Sequence, residues 1–209
     1  MEKYWEYLEY FNTPHNQSFQ LIDGKGKIVI SAPHSVSQTR NGMLKFSEPH
    51  TGVLAKMMHD QLGCPIIYKL ANLNDDANYD EQSDYKDALL DYIVNNNIKF
   101  VLDLHQLAPS REELLNIGTA GYKNVKNKFI VEMMQQQFEK HNLQGITIDT
   151  PFTGGYPHTI SAFVARNSNA QSVQLEINSK LVIDTFDQFA YDNLLEALID
   201  ITKELEKLL

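Results

Sequence analysis

Three short apolar runs each end on a residue able to bind a metal or carry a proton: Lys27-Ile28-Val29-Ile30-Ser31-Ala32-Pro33-His34, Lys99-Phe100-Val101-Leu102-Asp103-Leu104-His105 and Ser172-Val173-Gln174-Leu175-Glu176-Ile177. Runs of this length, rich in Val, Ile and Phe and bounded by turn residues, fit strands buried on both faces. The stretches between them carry apolar residues at helical spacing, as in Val53, Leu54, Met57, Met58 and Leu62. Strands alternating with helices fold as a mostly parallel sheet covered on both faces, an α/β protein of three layers, α/β/α. In such open sheets ligands gather outside the carboxyl ends of the strands. His34, His105 and Glu176, far apart in sequence, are therefore expected at one edge.

The pattern predicts strands over 27–32, 65–69, 98–104, 145–149 and 172–178, and helices over 51–62, 83–95, 126–141 and about 187–208. The first segment, polar and aromatic, reads as a short helix or a strand pair. Stretches 35–49, 70–84 and 150–170 are rich in Gly, Pro, Asn and Thr. Loops of that length in a compact domain are usually functional. Two of them adjoin a candidate ligand.

With 209 residues and no repeat or linker, the chain reads as one domain spanning 1–209. A net charge of -9, from 18 basic against 27 acidic residues, excludes the basic footprint that a nucleic acid requires. The single cysteine, Cys64, excludes an internal disulfide, and its apolar setting makes it a small core residue. No run approaches the roughly 18 apolar residues of a membrane span, and the first residues lack a secretion signal, so a cytoplasmic location is expected.

Two His and one carboxylate form a ligand set suited to catalytic zinc, leaving a position for water. His34 and His105 supply the imidazoles. Glu48, in Glu48-Pro49-His50-Thr51-Gly52, supplies the carboxylate, with His50 as its rival. Glu176 sits in an otherwise apolar strand, where a carboxylate is costly without a purpose, and is the candidate to move protons. Asp103, two residues before His105 on the same strand, either accepts the spare imidazole N–H or diverges from it. His15, His59 and His141 receive no role, and Met133-Met134 reads as core packing.

Five segments carry a resemblance: Ser31-Ala32-Pro33-His34-Ser35, Asp103-Leu104-His105, Ile117-Gly118-Thr119, Thr150-Pro151-Phe152-Thr153-Gly154-Gly155 and Gln174-Leu175-Glu176-Ile177-Asn178. In this order they resemble the N-formylglutamate amidohydrolase family, itself similar to the aspartoacylase and succinylglutamate desuccinylase group of zinc hydrolases with a carboxypeptidase-like fold. The resemblance implies a zinc-exopeptidase-like fold, one zinc ion held by His34, Glu48 and His105, and Glu176 as catalytic carboxylate. Glu48 is supported by Thr51-Gly52, which resembles the family's Glu-x-x-Thr-Gly ending.

The relatives commonly show Asp-x-Asn-Arg, whose Asn and Arg hold substrate; here Asp76-Ala77-Asn78-Tyr79 keeps Asn78 and puts Tyr79 in place of Arg. Only Arg40, Arg111 and Arg166 remain as replacement guanidiniums. Asn78, Arg40, Arg166 and His158 are the expected substrate contacts. The expected activity is cleavage of an amide bond in a small acylated amino acid. The alternatives are a carboxypeptidase-like enzyme acting on peptides or cell-wall fragments, and a non-catalytic ligand-binding relative.

Overall fold

A computed structural model describes residues 2–182 and 188–209. Helix α1 (Glu2–Asn12) precedes β1 (Phe19–Ile22) and β2 (Ile28–Ala32), and a small hairpin, β3 (Gln38–Arg40) and β4 (Met43–Lys45), follows. Then come α2 (Pro49–Leu62), β5 (Ile66–Lys69), α3 (Asp84–Asn95), β6 (Phe100–Leu107) and β7 (Leu115–Gly118). The chain ends with α4 (Lys128–Lys140), β8 (Ile146–Ile148), α5 (Ile160–Asn167), β9 (Gln171–Asn178), a short 3-10 turn (Ser179–Leu181) and α6 (Gln188–Leu208). The expected start of the last helix at Asp187 lies outside the described residues.

Seven strands form one sheet in the order β1-β5-β2-β6-β9-β7-β8. The central four, β5, β2, β6 and β9, are mutually parallel, while β1 runs antiparallel at one edge and β7 and β8 run antiparallel to β9 at the other. The sheet is thus mixed and mostly parallel at its centre, as the alternating pattern requires. Apolar residues alternate between its faces. Ile28, Ile30, Phe100, Leu102, Leu104, Val173 and Leu175 pack with α1, α2, α4 and α6, whereas Val29, Ile67 and Val101 pack with α3 and α5. This is the three-layer arrangement.

Helix starts are set locally. Ser83, Asn127 and Thr159 each accept a hydrogen bond from a backbone N–H of the first turn of α3, α4 and α5, which satisfies donors that a helix end leaves open. Gly52 in α2 is where α1 crosses: a Cβ there would lie 2.4 Å from the ring of Phe11.

Several elements depart from the sequence expectation. The first segment is a helix, the first of its two expected forms, and the strand that follows it, β1, is one the pattern did not isolate. Stretch 35–49 contains the β3–β4 hairpin, and stretch 150–170 contains α5. Strand β7 is an element the pattern did not isolate, because Leu115-Asn116-Ile117-Gly118 is short and half polar.

Candidate metal centre and active site

The side chains that carry chemistry share one face and one end of the sheet. Along β6 and β9, Val101, Asp103 and His105 alternate with the core residues Leu102 and Leu104, and Gln174 and Glu176 alternate with Val173, Leu175 and Ile177. The register pairs Ser31 with Asp103, Asp103 with Gln174 and His105 with Glu176. A period of two thus puts them all on the α3/α5 face, and the parallel strands deliver them at the carboxyl edge.

His34 stands just past β2, and Glu48 is the residue before α2. Fourteen positions separate them, yet the Glu48 backbone N–H donates to the His34 carbonyl at 2.8 Å. The β3–β4 hairpin is the excursion between these joined ends. It is tied to the 70–80 loop by Thr39 N–H to the Asp75 carbonyl at 3.0 Å, Asn41 to the Tyr79 hydroxyl at 3.0 Å and Arg40 to Asp76.

His34 Nδ1 lies 3.1 Å from Glu48 Oε1 and 3.2 Å from His105 Nδ1, and His105 Nδ1 lies 3.6 Å from Glu48 Oε2. The other nitrogen of each ring is held from behind: His34 Nε2 donates to Asp76 Oδ1 at 2.9 Å and His105 Nε2 to Asp103 Oδ2 at 3.0 Å. Asp76 and Asp103 have no exposed surface. With each Nε2 carrying its proton, both Nδ1 lone pairs and a carboxylate converge on one point. Such a set repels itself unless a cation lies among its members.

The spacing fits a metal ion. Ligand atoms about 2.0–2.1 Å from a tetrahedral zinc stand about 3.3 Å apart; here the two Nδ1 atoms are 3.2 Å apart, and the Glu48 carboxylate lies 3.1 Å from one through Oε1 and 3.6 Å from the other through Oε2. Among the described residues, His34, Glu48 and His105 are the group of His, Cys, Asp and Glu side chains that can hold one ion. In the metal-free chain protons take its place. Burial opposes charge on His34, but Glu48 and Asp76 outweigh it and raise its pKa to about 9. Burial likewise opposes charge on His105, and Asp103 and Glu48 raise it well above the usual value. Burial alone would lift Glu48, yet the two imidazoles bring it down to about 2.

No protein-family model matches the chain, and no curated protein matches its sequence. Solved structures match it in shape. A gene product from Agrobacterium tumefaciens matches at 14% identity and a TM-score of 0.63, over 91% of this chain and 97% of that one. A bacteriophage poly-gamma-glutamate hydrolase matches at 14% identity and 0.62, over 95% and 94%. A succinylglutamate desuccinylase from Vibrio parahaemolyticus matches at 15% and 0.52, over 88% and 71%. The fold is zinc-exopeptidase-like.

Glu176 borders the same cleft, which has a volume of about 480 Å³. Gln174 Nε2 donates to its Oε1 at 2.7 Å. Burial raises its pKa, with His105 pulling the other way. A carboxyl group so placed binds its proton more readily than one in water.

His50, the rival ligand, turns away from the cleft. Tyr4 gives its one hydroxyl proton to the Val182 carbonyl at 2.7 Å, so His50 Nδ1, 2.7 Å from the same hydroxyl, is the donor to it. Burial lowers the His50 pKa to about 4. The imidazole fastens α2 to α1.

Of the expected substrate contacts, Asn78 and Arg40 line the cleft. Asn78 Oδ1 accepts the Ile160 N–H at the start of α5, at 2.7 Å. Arg40 donates through Nε and Nη2 to Asp76 Oδ2 at 2.9 and 2.8 Å, and its guanidinium lies 4.7 Å from the Tyr79 ring centre. Arg166 is a correction: it is exposed in the last turn of α5 and does not border the cleft. The helix runs away from the strand ends, and carries it off. His158 is also absent from the wall; its ring meets the edge of Tyr156, which is in it. Sequence reasoning missed Asp76, Gln106 and Phe152 here, and set Arg111 aside. The motif around Asn78 contained Asp76, but only the folded hairpin brings Arg40 and His34 to it.

Proposed function

We propose that this chain is a metal-dependent hydrolase that cleaves the amide bond of a small N-acyl compound of the N-formylglutamate kind. His34, Glu48 and His105 would hold one zinc ion. The observation that carries the reading is the convergence of two Nδ1 atoms and a carboxylate at 3.1–3.6 Å, beside a buried carboxyl group in register with His105.

Held there, a zinc ion would supply Lewis acidity for the amide carbonyl and for activation of water. Glu176 takes the proton of the attacking water and delivers it to the leaving nitrogen, a dual role suited to its raised pKa. Gln174, donating to Glu176 Oε1, fixes the carboxyl rotamer and leaves the other oxygen for proton transfer. Asp76 and Asp103 hold the imidazoles in the tautomer that turns Nδ1 toward the ion. The partner is a small molecule, and Asn78 and Arg40 shape the wall against which it lies.

Metal analysis and turnover of N-formyl and N-acetyl amino acids, compared with dipeptides, test this reading. One zinc per chain and cleavage of the acyl amino acids are expected, with turnover falling about 10²- to 10⁴-fold in Glu176→Gln while zinc is retained. A wild-type protein that takes up no zinc and cleaves nothing overturns it. Preference for dipeptides moves the substrate to the peptide class.

A further inference from the structure

Resting on the hydrolase reading, we infer that Arg111 is the residue that reads the substrate, and that it does so by docking a carboxylate of the acylated compound. Two guanidiniums border the cleft, those of Arg40 and Arg111. They are not equivalent. Arg40 is committed: two of its N–H groups go to the fully buried Asp76, whose charge they and His34 neutralise. Arg111 has no carboxylate partner among the described residues, and its guanidinium carbon lies 5.2 Å from the ring centre of Phe152, which also lines the cleft. A guanidinium drawn to a ring by cation–π attraction makes no hydrogen bond there, so its N–H groups remain for a planar, two-oxygen acceptor.

The base of this side chain is fixed relative to the chemistry. Asn178, two residues beyond Glu176 on β9, donates to the carbonyls of Arg111 and Glu113 at 3.2 and 2.9 Å. The Arg111 N–H closes a turn onto Ala108 at 3.1 Å. The Arg111 backbone and Glu176 therefore stand on one anchored unit, which sets the reach of the guanidinium toward the bond being cleaved. Electrostatics makes the assignment selective. A zinc ion held by Glu48 would engage the scissile amide, and beyond it the chain is acidic overall with a net charge of -9, so a second, anionic part of the ligand is held best where a guanidinium is uncommitted. The anion partner arrives from the loop after β6.

The test uses the whole chain, zinc-loaded and carrying Glu176→Gln so that the ligand is not consumed, titrated calorimetrically with N-acetyl-L-glutamate and with its neutral diamide. The acid is expected to bind at least about tenfold tighter than the diamide. Arg111→Gln on this background removes the preference, and Arg111→Lys keeps part of it, because charge remains without the fork. An acid that binds no tighter than the diamide, or does not bind, overturns the inference, as does a preference that survives Arg111→Gln. Zinc content measured on the same samples separates the two levels. A chain that takes up no zinc overturns the hydrolase reading and this inference with it, whereas a zinc-loaded chain without the acid preference overturns this inference alone.

Discussion

At the scale of single residues, the candidate site sets protons against the metal ion it is proposed to hold. In the zinc-free protein the folded-state pKa of His34 is raised from 6.5 to about 9. Folding therefore takes up a proton between those values: the stabilisation is complete below pH 6.5 and is lost as pH rises through about 9. Urea unfolding of the zinc-free chain between pH 6 and 9.5 should show this decline, with a smaller slope in His34→Gln. Zinc must displace the same protons, so its affinity should rise with pH across that window. The carboxylates behind the imidazoles matter next. Asp103→Asn replaces an acceptor that holds His105 Nε2 at 3.0 Å, and zinc affinity should fall about 10- to 100-fold by competition titration. His50→Gln should leave zinc binding intact, since His50 faces Tyr4.

At the scale of elements, the joint between α1 and α2 explains a motif that looked purely catalytic. The Thr51-Gly52 pair after Glu48 is where Phe11 of α1 lies against α2, and a Cβ at Gly52 would be 2.4 Å from its ring. Gly52→Ala should destabilise the fold by about 1–3 kcal/mol, the usual range for overpacking. Adding Phe11→Leu should recover part of that loss, which a double-mutant cycle in urea measures. The same scale shows what the sequence made legible. Strands β2, β5, β6 and β9 stood out because both faces are buried and Val, Ile, Leu and Phe recur along them. Strands β3, β4 and β7 did not, being three or four residues long with polar members. Helix α5, at eight residues, hid inside a stretch that reads as loop. Among site residues, those at the ends of central strands were legible as unexpected polar groups. Asp76 depends on a hairpin folding back over it, and the contrast between Arg111 and Arg166 depends on which way a loop and a helix leave the sheet, neither of which local pattern encodes.

At the scale of the whole molecule, the candidate metal centre joins parts that the chain keeps far apart: the turn after β2, the start of α2 and the carboxyl end of β6. An ion held there binds the folded chain and not the unfolded one, so it should stabilise the fold by about 2.7 kcal/mol at a free concentration 100 times its dissociation constant. For a chain of this size that corresponds to a rise in Tm of about 5–10 °C. Thermal scans with zinc and with a chelator should show the shift, and His34→Ala should abolish it. No helix of the described residues is long and apolar enough to cross a membrane. The alternation of His105 and Glu176 with Leu104, Leu175 and Ile177 has one more consequence. Because strand neighbours face opposite sides, sliding β6 or β9 by a single position would turn the imidazole and the carboxyl group into the oily layer beneath and bring leucines to the cleft. Capture of the proposed ion would then act as a proofreading signal for strand alignment: a chain that had taken it up would, by that act, have reported that its central strands were laid down in the correct frame.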